Sequence, residues 1–250
     1  MFPIRDHNPS ERVPWVTFAL IGVNVLVFLG TYTAQGNDLA LFTLYRNWAL
    51  WPFEISQGQN YASLVSSTFL HGGILHLAGN MLFLWIFGDN MEDQMGHLGF
   101  AGFYLAAGIA ASLFQVASDP YSQVPVIGAS GAVAGVMGAY LLFFPRARVD
   151  VFLFLIIIFR VFTVPAWIVL ALWFGLQVFN GAAAFGDAQS GGVAYWAHAG
   201  GFAAGLVFAL PFWLARGGRD IWRASAGRPN HPEAKYRISA TTVPQVKRRR

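Results

Sequence analysis

Six apolar stretches, residues 13–32, 74–88, 99–117, 126–144, 151–179 and 193–214, dominate this chain of 250 residues. A helical bilayer crossing takes about 20 apolar residues, because lipid offers the backbone no hydrogen-bond partner and every N–H and C=O must be satisfied within the segment. Only 11% of the residues are charged, against about 25% in an ordinary soluble chain. The expected fold class is an all-α membrane protein, a six-transmembrane-helix bundle.

Two stretches do not fit a simple span. Residues 151–179 are too many for one crossing and include Arg160 and Pro165. They are read as an interfacial or re-entrant stretch over 151–162 followed by a fifth crossing from about 163 to 179. Residues 74–88 are few for a crossing, so the second helix is expected to begin earlier, near 62–68, with polar residues at its mouth.

Basic residues orient the bundle, since the side rich in Lys and Arg stays cytoplasmic. With the N-terminus inside, Arg5, Arg12, Arg146, Arg148, Arg160 and the tail from Arg216 all lie inside, and only Arg46 is outside. Both termini are therefore expected to be cytoplasmic. The organisation expected is a cytoplasmic N-terminal segment at 1–12, a membrane domain at 13–215 and a basic, disordered cytoplasmic tail at 216–250. The net charge of +4 and the terminal "KRRR" suit a topogenic tail attracted to anionic headgroups of the lipid bilayer, so no nucleic-acid partner is expected. With no cysteine, disulfide and thiolate chemistry are excluded. The first apolar stretch ends without a small-residue cleavage site and reads as an anchor.

Polar residues within the spans carry the functional signal. In this orientation the second, fourth and sixth helices all run inward, and near their outer ends stand His76 and Asn80, Ser130, and His198 respectively. Ionisable groups inside a membrane cost about 2.5–3.5 kcal/mol at mid-helix on insertion scales, so they face the interior and find partners. His76 and Asn80 are four residues apart, hence on one helical face. Taken singly, Ser130 reads as a packing hydroxyl and Asn80 as interhelical glue. Their shared depth argues for a common pocket.

Glycines supply a reason for the helices to meet. Gly131 and Gly135 form one small-xxx-small pair and Gly201 and Gly205 another, which lets backbones approach closely. His198 precedes the second pair on nearly the same face. Packing through these glycines would carry its imidazole toward Ser130, and serine beside histidine is the minimal nucleophile and general base. Ser130 falls in the first turn of its helix, where N–H groups lack intrahelical partners. Asn80 adds an amide N–H and His76 a ring N–H, so donors for an oxyanion are also at hand. No acidic residue falls in a crossing near the outer end, so a Ser–His dyad is expected, with the imidazole oriented by packing.

In combination, "HLAGN" at 76–80, "GASG" at 128–131 and "AHAGGFAAG" at 197–205 resemble the rhomboid family of intramembrane serine proteases. The resemblance runs from Arg12 to about Phe212. It implies Ser130 as nucleophile and His198 as its base, with His76, Asn80 and the Ser130 N–H holding the oxyanion and Gly128 keeping that site open. It also implies structural roles for His71, at the mouth of the second helix, and for Glu92, in the connection after it. Where many members stack an aromatic on the catalytic imidazole, four residues after the serine, this chain has Ala134. The outer first loop, 34–61, has only "YRNW" in place of a marked Trp-Arg pair.

The implied activity is hydrolysis of membrane-protein substrates, single-pass or polytopic, near the outer end of a transmembrane segment. Helix-weakening residues are expected at the cut and a small residue before it. No metal, nucleotide or other cofactor is expected, and the compartment suggested is a bacterial inner membrane. Two rivals stand beside this reading. A transporter with a polar relay would need polar residues through the inner halves of these helices, which read "MLFLWIF", "VMGAYLLFF" and "GLVFALPF". A rhomboid-like protein that binds clients without cutting them would not need both Ser130 and His198.

Overall fold

The computed structural model describes residues 2–155, 158–184 and 193–229. Ten α-helices and three strands are described within them. The helices are α1 (Trp15–Thr31), α2 (Asp38–Trp48), α3 (Pro52–Ser56), α4 (Ser63–Ser66), α5 (Ile74–Met95), α6 (His97–Ser118), α7 (Ser130–Phe143), α8 (Ala166–Ala183), α9 (Tyr195–Ala215) and α10 (Arg219–Ser225). The strands are β1 (Phe2–Asp6), β2 (Arg148–Leu155) and β3 (Ile158–Pro165).

Four helical segments, Trp15–Gly36, His97–Ser118, Ala166–Ala183 and Tyr195–Ala215, are long and apolar enough to cross a membrane. A fifth candidate is bent: Ser63–Phe69 and Ile74–Met95 meet at 98°. The expected early start of the second crossing is thus corrected. Polar residues near 62–68 do form helix, but it lies across the axis of α5, and the crossing proper starts at Ile74. Large apolar side chains on α1, α8 and α9, among them Leu26, Leu29, Leu172, Val207 and Leu214, point outward, as lipid-facing residues do. The chain is an integral membrane protein.

The helix α7 differs from the others. Its 14 residues span about 21 Å at 1.5 Å per residue, short of a hydrocarbon core of roughly 30 Å. It needs no lipid-facing length, because every residue from Gly131 to Tyr140 is buried among α5, α6 and α9. Its interface with α9 is backbone on backbone. A Cβ placed on Gly201 would lie 2.1 Å from the Gly131 carbonyl oxygen, and one on Gly205 would lie 2.0 Å from that of Gly135.

An all-helical fold is also corrected. Strands β2 and β3 pair antiparallel, with Asp150 opposite Thr163 and Phe152 opposite Val161, and β1 adds to the other edge of β2 to give the order β1-β2-β3. The apolar run from 151 onward does not re-enter the membrane as helix. Its Val, Ile, Phe and Thr residues are strand formers, and periodicity alone does not separate a short apolar strand from a membrane-helix segment. Pro165 ends β3 in an extended conformation and leads directly into α8. The tail expected to be disordered forms α10 over Arg219–Ser225, while residues 230–250 lie outside the described residues.

Carboxylates tie the elements together at the end of the bundle away from Ser130. Glu92 of α5 accepts the backbone N–H groups of Val16 (2.9 Å) and Thr17 (2.8 Å), and Asp93 accepts those of Glu11 and Arg12. The two bonds to Glu92 take up donors that the first turn of α1, which has no side-chain cap of its own, leaves free. Burial would raise the Asp150 carboxyl, but bonds from Thr163, Arg5 and His7 outweigh it and hold it below the usual range.

Asp6, closing β1, accepts the Tyr140 hydroxyl at 2.7 Å. Burial pushes its carboxyl up to about 8, opposed by the Tyr140 bond and helped by the neighbouring Asp89. The folded protein therefore holds a proton that the unfolded chain, with an ordinary value of 3.8, releases. Stability from this group is full below that value and falls as pH rises toward about 8. The melting temperature in detergent is expected to fall as pH rises from 3.8 to about 8, and Asp6→Asn to flatten the fall; equal slopes in the two proteins would contradict it.

Candidate active site

Local backbone chemistry sets the serine first. Leu50 and Val126 exchange both backbone hydrogen bonds, 3.0 and 2.8 Å, and the Gly128 N–H donates to the Ser67 carbonyl at 2.9 Å. The segment entering α7 is thereby tied to two stretches of the chain between α1 and α5. Gly128 has φ +120°, a region that L side chains rarely adopt. A Cβ there would sit 2.7 Å from His76 Nε2 and 3.7 Å from Asn80 Nδ2. Glycine is needed both for the turn and to leave the space in front of these two side chains empty.

Ser130 follows as the first residue of α7, so its N–H belongs to the unpartnered first turn. His198 stands in the first turn of α9, whose start is held by the Gln115 side chain of α6 accepting the Ala197 N–H at 3.0 Å. The glycine contact between α7 and α9 brings the two together: Ser130 Oγ lies 2.7 Å from His198 Nε2. Both side chains are half-buried.

Asn80 is buried, and its Nδ2 has no hydrogen-bond partner. A buried amide donor without a partner costs about 1–3 kcal/mol, a cost consistent with a site awaiting an acceptor. His76, one turn earlier, is exposed and packs edge-on against the buried His71 at a ring separation of 5.0 Å. All four expected polar side chains, His76, Asn80, Ser130 and His198, line one cavity of about 940 Å³. Among the described residues, no group of three His, Asp or Glu side chains could hold a metal ion.

Sequence reasoning missed what holds the histidine. His198 Nδ1 lies 2.8 Å from Gln177 Oε1, and the Trp173 ring sits 5.8 Å from the imidazole, tilted by 33°. Both belong to α8, one turn apart. The available signal was an amide, one of two with Asn180, toward the C-terminal end of an otherwise apolar span, the criterion that had singled out Asn80. Ala134 is fully buried in the core, so the aromatic neighbour of the imidazole comes from α8 and not from the serine helix.

This arrangement of nucleophile, base and unpartnered donors around one cavity has counterparts in known proteins. The chain is 31% identical over 147 residues to rhomboid protein 1, mitochondrial, of Saccharomyces cerevisiae, covering 56% of this chain and 39% of that one. It is 37% identical over 128 residues to rhomboid protease GluP of Bacillus subtilis, covering 51% and 24%. To rhomboid-like protein 11, chloroplastic, of Arabidopsis thaliana it is 32% identical over 130 residues, covering 52% and 42%. The chain thus spans less than half the length of each of these relatives. They come from mitochondria and chloroplasts as well as a bacterium, so they lend the expected bacterial inner membrane no support over an organellar one. A model of the rhomboid domain matches residues 58–215, more than half of the chain and the stretch that holds His76, Asn80, Ser130 and His198, and on that ground the chain belongs to the rhomboid family.

Proposed function

We propose that this protein is an intramembrane serine endopeptidase that cuts membrane-protein substrates near the outer end of a transmembrane segment. The observation that carries the reading is the 2.7 Å contact of Ser130 Oγ with His198 Nε2, facing the unpartnered amide of Asn80. Family membership supports it, since the relatives include a protein named as a protease.

In this reading Ser130 Oγ attacks the scissile carbonyl carbon and its proton passes to His198 Nε2. The carbonyl oxygen becomes an oxyanion held by the Ser130 N–H, Asn80 Nδ2–H and His76 Nε2–H, with Gly128 leaving room for it. Collapse of the intermediate expels the amine, which takes the proton from His198. Water then hydrolyses the acyl-enzyme by the same route. The chain's own side chains supply each group, and no metal or cofactor is assigned a part.

The proposal includes six crossings, with α7 as the short buried one, both termini on the basic side of the membrane, and a protease domain over 13–215 flanked by segments 1–12 and 216–250. Ser130 opens the buried helix α7, and an intact substrate helix keeps its carbonyls in internal hydrogen bonds, so it must unwind to present one there. Helix-weakening residues at the cut and a small residue before it follow from that geometry.

The test is labelling of detergent-solubilised protein with a fluorophosphonate probe. Modification mapped to Ser130 and lost in His198→Ala is expected. Labelling elsewhere, or labelling indifferent to His198, refutes the dyad and leaves the reading of a client-binding rhomboid without proteolysis. Asn80→Ala is expected to slow turnover measurably without abolishing it, by no more than the roughly 2.7–4 kcal/mol that losing one oxyanion donor costs. Unchanged kcat would reduce Asn80 to a packing residue.

A further inference from the structure

We propose that Gln177 is a positioning residue for catalysis: its Oε1 accepts the Nδ1–H of His198 and fixes the imidazole in the tautomer whose Nε2 lone pair faces Ser130. The inference rests on the Ser130–His198 reading and adds to it a member that neither the dyad nor the family resemblance contains.

The two ring nitrogens of His198 meet different elements. Nε2 lies 2.7 Å from Ser130 Oγ on α7, and Nδ1 lies 2.8 Å from Gln177 Oε1 on α8. A neutral imidazole carries one N–H, so the partner of one nitrogen dictates the role of the other. An acceptor at Nδ1 holds the proton there and leaves Nε2 free to accept the serine proton. In soluble serine proteases a carboxylate does this, and replacing it by an amide of the same shape costs about 10⁴ in kcat through the wrong tautomer. An amide oxygen performs the same selection without placing a charge at membrane depth, which is costly.

The environment leaves Gln177 the part by position. The residue four after the serine is Ala134, with no ring to press on the imidazole. Trp173, one turn before Gln177 on α8, instead covers one side of the imidazole. One face of α8 therefore supplies both a wall and an acceptor, and a ring held by the wall alone would remain free to exchange its proton between nitrogens.

The experiment compares the wild type with Gln177→Leu, which removes the acceptor at similar size, and Gln177→Glu, which keeps an acceptor at the same reach. Three quantities are read: kcat and KM on a transmembrane substrate in liposomes, the rate of fluorophosphonate labelling at Ser130, and the ¹⁵N resonances of His198, which report its tautomer without any turnover. Gln177→Leu is expected to lower kcat and the labelling rate by about 10–100-fold with KM little changed, since general-base catalysis as a whole contributes roughly 10²–10⁴. Its His198 should show a mixture of tautomers. Gln177→Glu should restore most of the rate and the single Nδ1–H tautomer. An unchanged tautomer with kcat within about twofold in Gln177→Leu would overturn the proposal in favour of packing alone. So would Gln177→Glu being as slow as Gln177→Leu, because the amide would then be donating. If the wild type shows no His198-dependent labelling, the dyad reading fails by itself, and the ¹⁵N spectra still decide what Gln177 does to the ring.

Discussion

Ser130→Ala and His198→Ala are each expected to abolish cleavage of a transmembrane substrate, with the double variant no slower than either single one. A hydroxyl does not ionise at neutral pH, so in the proposed mechanism Ser130 attacks only as its proton leaves for His198 Nε2, 2.7 Å away, and without the serine the imidazole has no acyl-enzyme to hydrolyse. Residues that act as a unit are not additive: in a comparable soluble protease, losing either partner costs about 10⁶ in kcat, much the same as losing both. The measurement is product formation in reconstituted liposomes, with the cut mapped by mass spectrometry. Folding of each variant is checked by melting temperature, which neither substitution should move far because both side chains are half-buried in a cavity. Turnover by Ser130→Ala above a small percentage of wild type would remove Ser130 as nucleophile. Cuts at the basic end of the substrate segment would contradict the placing of Ser130 at the first residue of α7.

The second large effect lies in the α7–α9 contact and touches no reacting group. Gly201→Val is expected to lower kcat by at least about 100-fold, since a misplacement of about 1 Å costs that much when reacting groups must be aligned. A Cβ on Gly201 would fall 2.1 Å from the Gly131 carbonyl oxygen. That neighbour is backbone and has no rotamer into which to retreat, so α9 must move away from α7 and take His198 with it. Overpacking a close contact also costs about 1–3 kcal/mol of stability, visible as a lower melting temperature. Gly175→Ala on α8 is the control: a Cβ there meets nothing within 4 Å. A gain in helix propensity of up to about 1 kcal/mol should leave its melting temperature level or higher. Equal effects of the two substitutions would show that Gly201 matters for flexibility and not for close approach.

These predictions differ in where they could be read. Ser130, His198, His76 and Asn80 were visible along the chain because a polar side chain in an apolar run is expensive and must be explained, and because their depths matched once the basic residues had oriented the bundle. The small-xxx-small pairs were visible for a related reason, being regular at helical spacing. By the same criterion Gln177 could have been found. It was passed over because an amide bears no charge and belongs to no motif, and because only the packing of α8 against α9 decides whether it faces His198 or lipid.

The chain's own order of residues determined that it lives in a membrane, that most of it is helix and that its chemistry lies near one end of the bundle. Hydropathy and the cost of buried polar groups act locally, so they leave a linear trace. Tertiary structure alone decided three other matters. Strand β2 pairs with β3 on one side and with β1, more than a hundred residues away, on the other, a partner that no local window contains. The 98° break before α5 arises where the outer loop docks on the segment entering α7. The imidazole of His198 stands between Ser130 and Gln177 because α7 and α9 close to backbone contact while α8 packs alongside. Which face a helix turns to its neighbours is set by the fit of all of them together, and that fit has no expression in any one segment.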